Sequence, residues 1–294
     1  MLRNYKFSQT LYLMIMIILI LVNSIAIAFA AEKKVNIDVS KANDGYISIN
    51  YIGKKSTPPR MKVVLQLGQD KYTYDLNRGL TTDNFPLQLG NGKYTIQVFE
   101  NVTGNKYGLL ESVDVTVKLT NELSPFLVPT QLINYSKNDQ AILKSTELVS
   151  SAKTAEEKVS AIYSYITATI KYDNDKAQDV ATGAISGTYV PSIDDTLSKK
   201  KGICFDYSSL MAAMLRSQGV PTRLVMGYVA PDNLYHAWNE VYLEGKGWVE
   251  IAKLNFPGKS WERMDSTFGA GSNNASDVLA KVNTKDYYQT RYVY

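Results

Sequence analysis

The sequence predicts an α+β protein, and three features carry that prediction. Between Val35 and Leu119 apolar residues alternate with polar ones, the two-residue period of half-buried strands. Past Pro129 the period becomes that of amphipathic helices, and past Pro221 alternation returns. An all-β segment therefore precedes a mixed one.

Residues 1–30 read as a signal segment. Arg3 and Lys6 precede an apolar run from Leu11 to Val22, and Ala28 and Ala30 flank Phe29 in the small-residue pattern of a signal peptidase site, so cleavage is expected after Ala30. The alternative is an uncleaved anchor, because residues 11–31 almost suffice to span a bilayer despite Asn23 and Ser24. Either reading implies a secreted or cell-surface protein. Cleavage removes Arg3 and Lys6 and lowers the formal charge from +4 to +2.

Residues 31–120 form the first expected domain. Val35, Ile37 and Val39 open a series of alternating runs that continues through Ile47, Val63, Tyr72, Tyr94 and Val113. Turn signals at Asn43-Asp44-Gly45, Pro58-Pro59 and Gly90-Asn91-Gly92 separate them. About six or seven short strands imply a small immunoglobulin-like β-sandwich. Its Tyr72, Tyr74 and Tyr94 read as core and strand-surface residues, not as a carbohydrate platform. Residues 120–129, with Pro125 and Pro129, read as a stiffened linker.

Residues 121–294 form the second expected domain. Residues 138–151 suggest one helix, and a second opens on a capping box of Thr154 and Glu157, with Val159, Ile162, Tyr163, Ile166 and Ile170 along one face. Residues 174–201, rich in Gly, Ser, Asp and Lys, suggest a long loop or short helices able to wall a cleft. A helix over residues 205–217 is stopped by Gly219 and Pro221. Strands over residues 222–228 and 235–243 follow, joined by a turn at Pro231-Asp232-Asn233, and then a hairpin of residues 248–251 and 261–265. Tyr287, Tyr288, Tyr292 and Tyr294 belong to a closing edge strand or surface run.

The chain's one cysteine and one histidine both fall in this second part. Gly202 permits a turn, so Cys204 opens the following helix, where unpaired backbone N–H groups and the positive end of the helix dipole favour a thiolate. His236 begins the alternating run in which Trp238, Glu240 and Tyr242 share its face. A thiol at a helix start beside an imidazole on a strand is the Cys–His arrangement of nucleophilic catalysis, which needs a third group to orient the base. Asp206, two residues past the thiol, reads as a cap or ion-pair partner at the helix start.

These residues resemble the transglutaminase-like superfamily, which has a papain-like core. Gly202 to Tyr228 follows the family's G-x-C-x-D-Y/F-A/S-x-L and G-[IV]-P-[AT]-R-x-V-x-G-Y blocks, and His236 to Tyr242 follows its H-A-W-N/V-E-V-Y block. The likeness covers residues 143–267 and implies a papain-like catalytic domain behind the sandwich. It also implies acyl transfer through a thioester, with Cys204 as nucleophile, His236 as base and then acid, and an aspartate to orient the imidazole. That aspartate has two registers. The commoner one follows Gly247-Trp248-Val249 and falls on Ala252; the other, past an inserted segment, falls on Asp265 in Trp261-Glu262-Arg263-Met264-Asp265-Ser266-Thr267. Asp265 is the assigned residue, with Glu240 and Glu250 as alternatives. The Cys204 N–H is the natural first oxyanion donor, and the sequence does not identify the second.

Other classes are excluded on composition. Basic residues are scattered without a stripe, which argues against nucleic acid. One Cys and one His cannot supply the three or four ligands of a zinc site, and no cofactor is expected. The expected partner is a protein or peptide substrate, including cell-wall peptide, with a membrane involved only if the anchor persists. A catalytically idle surface scaffold is the alternative, supported by Ala252.

Overall fold

A computed structural model of the chain describes residues 33–54, 58–76, 81–230, 233–250 and 288–294. The first part contains β1 (Val35–Asp38), β2 (Tyr46–Tyr51), β3 (Met61–Leu67), β4 (Asp70–Asp75), β5 (Asp83–Pro86), β6 (Gly92–Thr103) and β7 (Lys106–Val117). They form two antiparallel sheets, ordered β1-β2-β5 and β4-β3-β6-β7. The inward half of the alternation supplies the filling: Ile47, Ile49 and Phe85 from one sheet and Val63, Leu65, Ile96 and Val98 from the other are all buried in one cluster. This is the sandwich expected from the pattern, with two differences. The short strand Asp83–Pro86 carries too few alternating residues to announce itself, and β6 and β7 are 12 residues each, a long hairpin turned at Gly104.

The segment expected to be a stiffened linker is a packed strap. Pro125 and Phe126 are buried in a single 3-10 turn, and a side chain at Gly45 would stand 2.6 Å from the Pro125 nitrogen, so the strap lies directly on the sandwich. On its other side Phe126 packs edge-on against Trp248 at 4.9 Å, and the Arg223 guanidinium lies 3.7 Å above the same indole.

Then come α1 (Gln140–Leu148), α2 (Ala155–Thr169), β8 (Lys171–Tyr172), α3 (Asn174–Thr182), α4 (Ile193–Lys199), β9 (Lys201–Gly202), α5 (Cys204–Ser217), β10 (Thr222–Val229), β11 (Leu234–Leu243), β12 (Gly247–Glu250) and β13 (Tyr288–Val293). The capping box at Thr154 and Glu157 is present, and Val159, Ile162, Tyr163 and Ile166 are buried as their spacing implies. Helix α1 is shorter than residues 138–151 suggest. Its start is capped from a distance, the Asp194 carboxylate accepting the Gln140 and Ala141 N–H groups at 3.0 and 2.9 Å.

Helix α5 is the axis of this half. Every residue from Asp206 to Arg216 is buried, between α1, α2 and α4 on one side and the sheet β12-β11-β10-β13 on the other. Near its end Arg216, only 2% exposed, donates to three carbonyls: Thr222 at 2.8 Å, Val128 of the strap at 2.9 Å and Tyr294 at 3.1 Å. Burial lowers its pKa to about 10, so it stays charged at neutral pH and is solvated by carbonyl dipoles. The tail is an edge strand as expected: β13 pairs with β10, and its Tyr292 and Tyr294 rings pack on Tyr72 of β4 at 6.0 and 5.6 Å. The expected hairpin over residues 261–265, the inserted segment before it and the signal segment lie outside the described residues.

Replacing Arg216 with Leu takes a donor from three carbonyls, of which Tyr294 keeps the Leu224 N–H, and the expected loss is about 2–4 kcal/mol of unfolding free energy. Urea titration checks this, and Arg216→Lys, which cannot fork toward three segments, should recover little of it.

Candidate active site

Cys204 is the first residue of α5, and Ile203 before it is extended, with φ −97° and ψ 176°. The thiol is partly exposed while the helix behind it is buried. Asp206, in the first turn, accepts the Ile203 N–H at 2.9 Å and closes the helix start as the sequence suggests. Gly202 is required by that cap. Its φ is not in the left-handed region, so turn geometry does not explain it; a side-chain carbon there would lie 2.7 Å from the Asp206 Cβ.

Asp206 is 1% exposed, and a carboxylate so buried needs further partners. Lys176 of α3 approaches both its oxygens at 2.8 and 2.9 Å, and the Tyr189 hydroxyl donates a hydrogen bond to Oδ1. The ammonium also stands 4.3 Å from the centre of the Tyr189 ring. Burial first, then the Asp206 charge, raises the Tyr189 pKa and keeps the phenol a donor. Its hydrogen bond thus goes to Asp206. Lys176 carries no signal in the sequence: it is 30 residues from Asp206, and only folding brings α3 to the start of α5.

His236 lies on β11 opposite Gly227 and is 4% exposed. Gly227 is needed because a side chain there would meet the Gln289 carbonyl at 2.1 Å and the Trp238 ring at 2.9 Å. The imidazole is stacked with the Trp238 ring at 6.4 Å and 19°, so both share one pleat, as alternation requires. The other pleat carries Tyr235, whose hydroxyl meets the Met226 sulfur at 3.6 Å, and Asn239, whose amide donates to the Ser208 carbonyl of α5 at 3.0 Å. Burial is the main reason the Tyr235 pKa is raised, with Tyr292 and Tyr228 adding to it. At His236, β11 has passed Glu240, the last residue that β12 pairs with. Asp265 and Ala252 lie outside the described residues. Glu240 is already engaged, its carboxylate 3.1 Å from the Arg223 guanidinium, and Glu250 stands opposite it in register.

Residues 144–252 match the family description of the transglutaminase-like superfamily. The chain carries a transglutaminase-like domain. Members of this superfamily are in general cysteine enzymes. Kyphoscoliosis peptidase of human is 32% identical over 136 residues, a match covering 43% of this chain and 18% of that protein; the mouse protein is 31% identical over the same length. The chain thus spans less than a fifth of the length of these relatives. Among solved structures, one described as a TGase has 23% identity, with 43% of this chain and 36% of that one covered and a TM-score of 0.34. Red sea bream transglutaminase has 14% identity, with 85% and 56% covered and a TM-score of 0.27.

Asp206→Asn should cost about 2–3 kcal/mol in urea unfolding, because it leaves the Lys176 ammonium without its counter-charge. The double variant with Lys176→Met should cost less than the two single losses added together; strict additivity would mean that the pair is not coupled.

Proposed function

We propose that this protein is an exported cysteine-dependent acyl-transfer enzyme acting on amide bonds of proteins or peptides. The observation that carries this reading is the placing of the chain's one cysteine: a part-exposed first residue of a helix otherwise buried, with its start fixed by Asp206. Backbone N–H groups at such a helix start are available to a developing negative charge.

In the proposed reaction His236 takes the Cys204 proton, and the sulfur adds to the amide carbonyl carbon. The resulting oxyanion is held by the Cys204 N–H. The carbon–nitrogen bond then breaks, the leaving amine takes the proton from the imidazolium, and a thioester remains. Water or a second amine adds to the thioester with His236 again as base, and the thiol leaves. Asp265 is the proposed group that orients the imidazole. Supporting this geometry, β11 is an edge beside His236 among the described residues, so a group at the α5 start can approach the ring around the strand. The peptidase relatives favour water as acceptor. Arg3, Lys6 and the apolar run after them support export, with residues 31–120 as a separate sandwich domain and residues 121–294 as the catalytic one.

The second reading is an idle surface scaffold, and Ala252 in the commoner aspartate position favours it. Alkylation separates the two. Under the enzymatic reading, iodoacetamide labels Cys204 at pH 6 at a rate within a few-fold of that at pH 8, whereas an unassisted thiol slows about tenfold per pH unit below pH 8. The second pattern would favour the scaffold. For the reaction itself, mass spectrometry of a glutamine peptide with and without a primary amine should show a hydrolysed or aminated product, and Asp265→Ala should reduce its formation by at least about 100-fold with the fold retained.

A further inference from the structure

Two clefts meet where the sandwich faces the catalytic half. The inner one, about 150 Å³, is walled by Tyr74 and Asp75 of β4, by Gln131, by Thr188, and by Phe205 and Met226. The outer one, about 450 Å³, adds Arg60, Met61 and Leu76 from the sandwich. Asp75, Gln131, Thr188 and Val190 line both, so the two are neighbouring parts of one path. Its inner end reaches the chain neighbours of the site residues: Phe205 follows Cys204, and Met226 accepts from the hydroxyl of Tyr235, the residue before His236.

Three observations identify what this path suits. Strand β4 is an edge of its sheet, so one row of its backbone groups faces away from β3; the Asp75 carbonyl at its end already accepts the Gln131 amide at 2.7 Å. An extended peptide is the ligand that pairs with such an edge. The walls mix apolar side chains, Met61, Leu76, Phe205 and Met226, with the polar Asp75 and Thr188, while the Gln131 amide is spent on the Asp75 carbonyl and the Asp83 carboxylate. A peptide presents both kinds of group along its length. A sugar would ask for an open ring face, yet Tyr74 and Tyr294 are only 5% and 9% exposed and pack edge-to-face at 5.7 Å. The loop that forms the far wall is held by the Tyr189 hydroxyl on Asp206.

We propose that this path receives the extended polypeptide flanking the reacting amide, so that the N-terminal sandwich forms one wall of the substrate site. The proposal rests on Cys204 being the nucleophile. Its test uses the full chain and two probes: chloroacetamide alone, and a degenerate octapeptide carrying a chloroacetamide group on its central side chain. Labelling of Cys204 is followed by intact mass.

The peptide probe should label at least about tenfold faster than chloroacetamide. Thr188→Trp and Val190→Trp, both at exposed positions of the shared wall, should bring that ratio to about one while the chloroacetamide rate changes less than about twofold. A ratio near one in the parent protein, or a high ratio that survives both variants, overturns the proposal. Failure of the nucleophile assignment looks different: chloroacetamide itself would then label Cys204 with the pH dependence of an unassisted thiol.

Discussion

A buried carboxylate at the start of a buried helix is the constraint around which the half that follows the sandwich is arranged. Asp206 is 1% exposed, and each of its neighbours answers that burial. Gly202 leaves room for it, the Ile203 N–H caps on it, and Lys176 and Tyr189 neutralise and solvate it. Through these contacts α3 and the loop before α4 are held to the first turn of α5, beside Cys204. The requirement to satisfy one charge therefore fixes backbone around the thiol that no contact with the sulfur itself needs to hold.

The opposite end of α5 solves a related problem with the sign reversed. Arg216 draws carbonyls from β10, the strap and the tail. Three stretches far apart in the chain converge on one guanidinium whose planar fork can serve them together. Beside it, Arg223 is stacked on Trp248 and paired with Glu240, so the strap residue Phe126, β10 and β11 are joined across the sheet's edge. The two arginines turn a segment expected to be a tether into part of the core boundary.

What could be read from residues alone was local periodicity and local capping. The alternation of β2 and β3, the capping box at Thr154 and the helix opening at Cys204 all depend on neighbours within a few positions. The features that escaped reading depend on distant partners. Asp194 capping α1, Lys176 reaching Asp206 and Phe126 seated on Trp248 have no short-range signature. Gly202 was legible as a required glycine but for a different reason, since space for Asp206 demands it and not a left-handed turn. In the site, the elements bearing Cys204 and His236 are as the pattern indicates. The pleat that carries the imidazole, shared with Trp238 and opposite to Asn239, follows from the same alternation once Asn239 is seen bonded to α5.

Strand β13 closes the edge of β10 and sets its tyrosines against β4, more than two hundred positions earlier in the chain. During synthesis, which runs from the amino end, the row of backbone groups along β10 stays uncovered until residues 288–294 have emerged. An open strand edge of this kind invites pairing with another nascent chain. The seam between the halves thus leaves the covering of this edge to the short stretch that arrives after both halves.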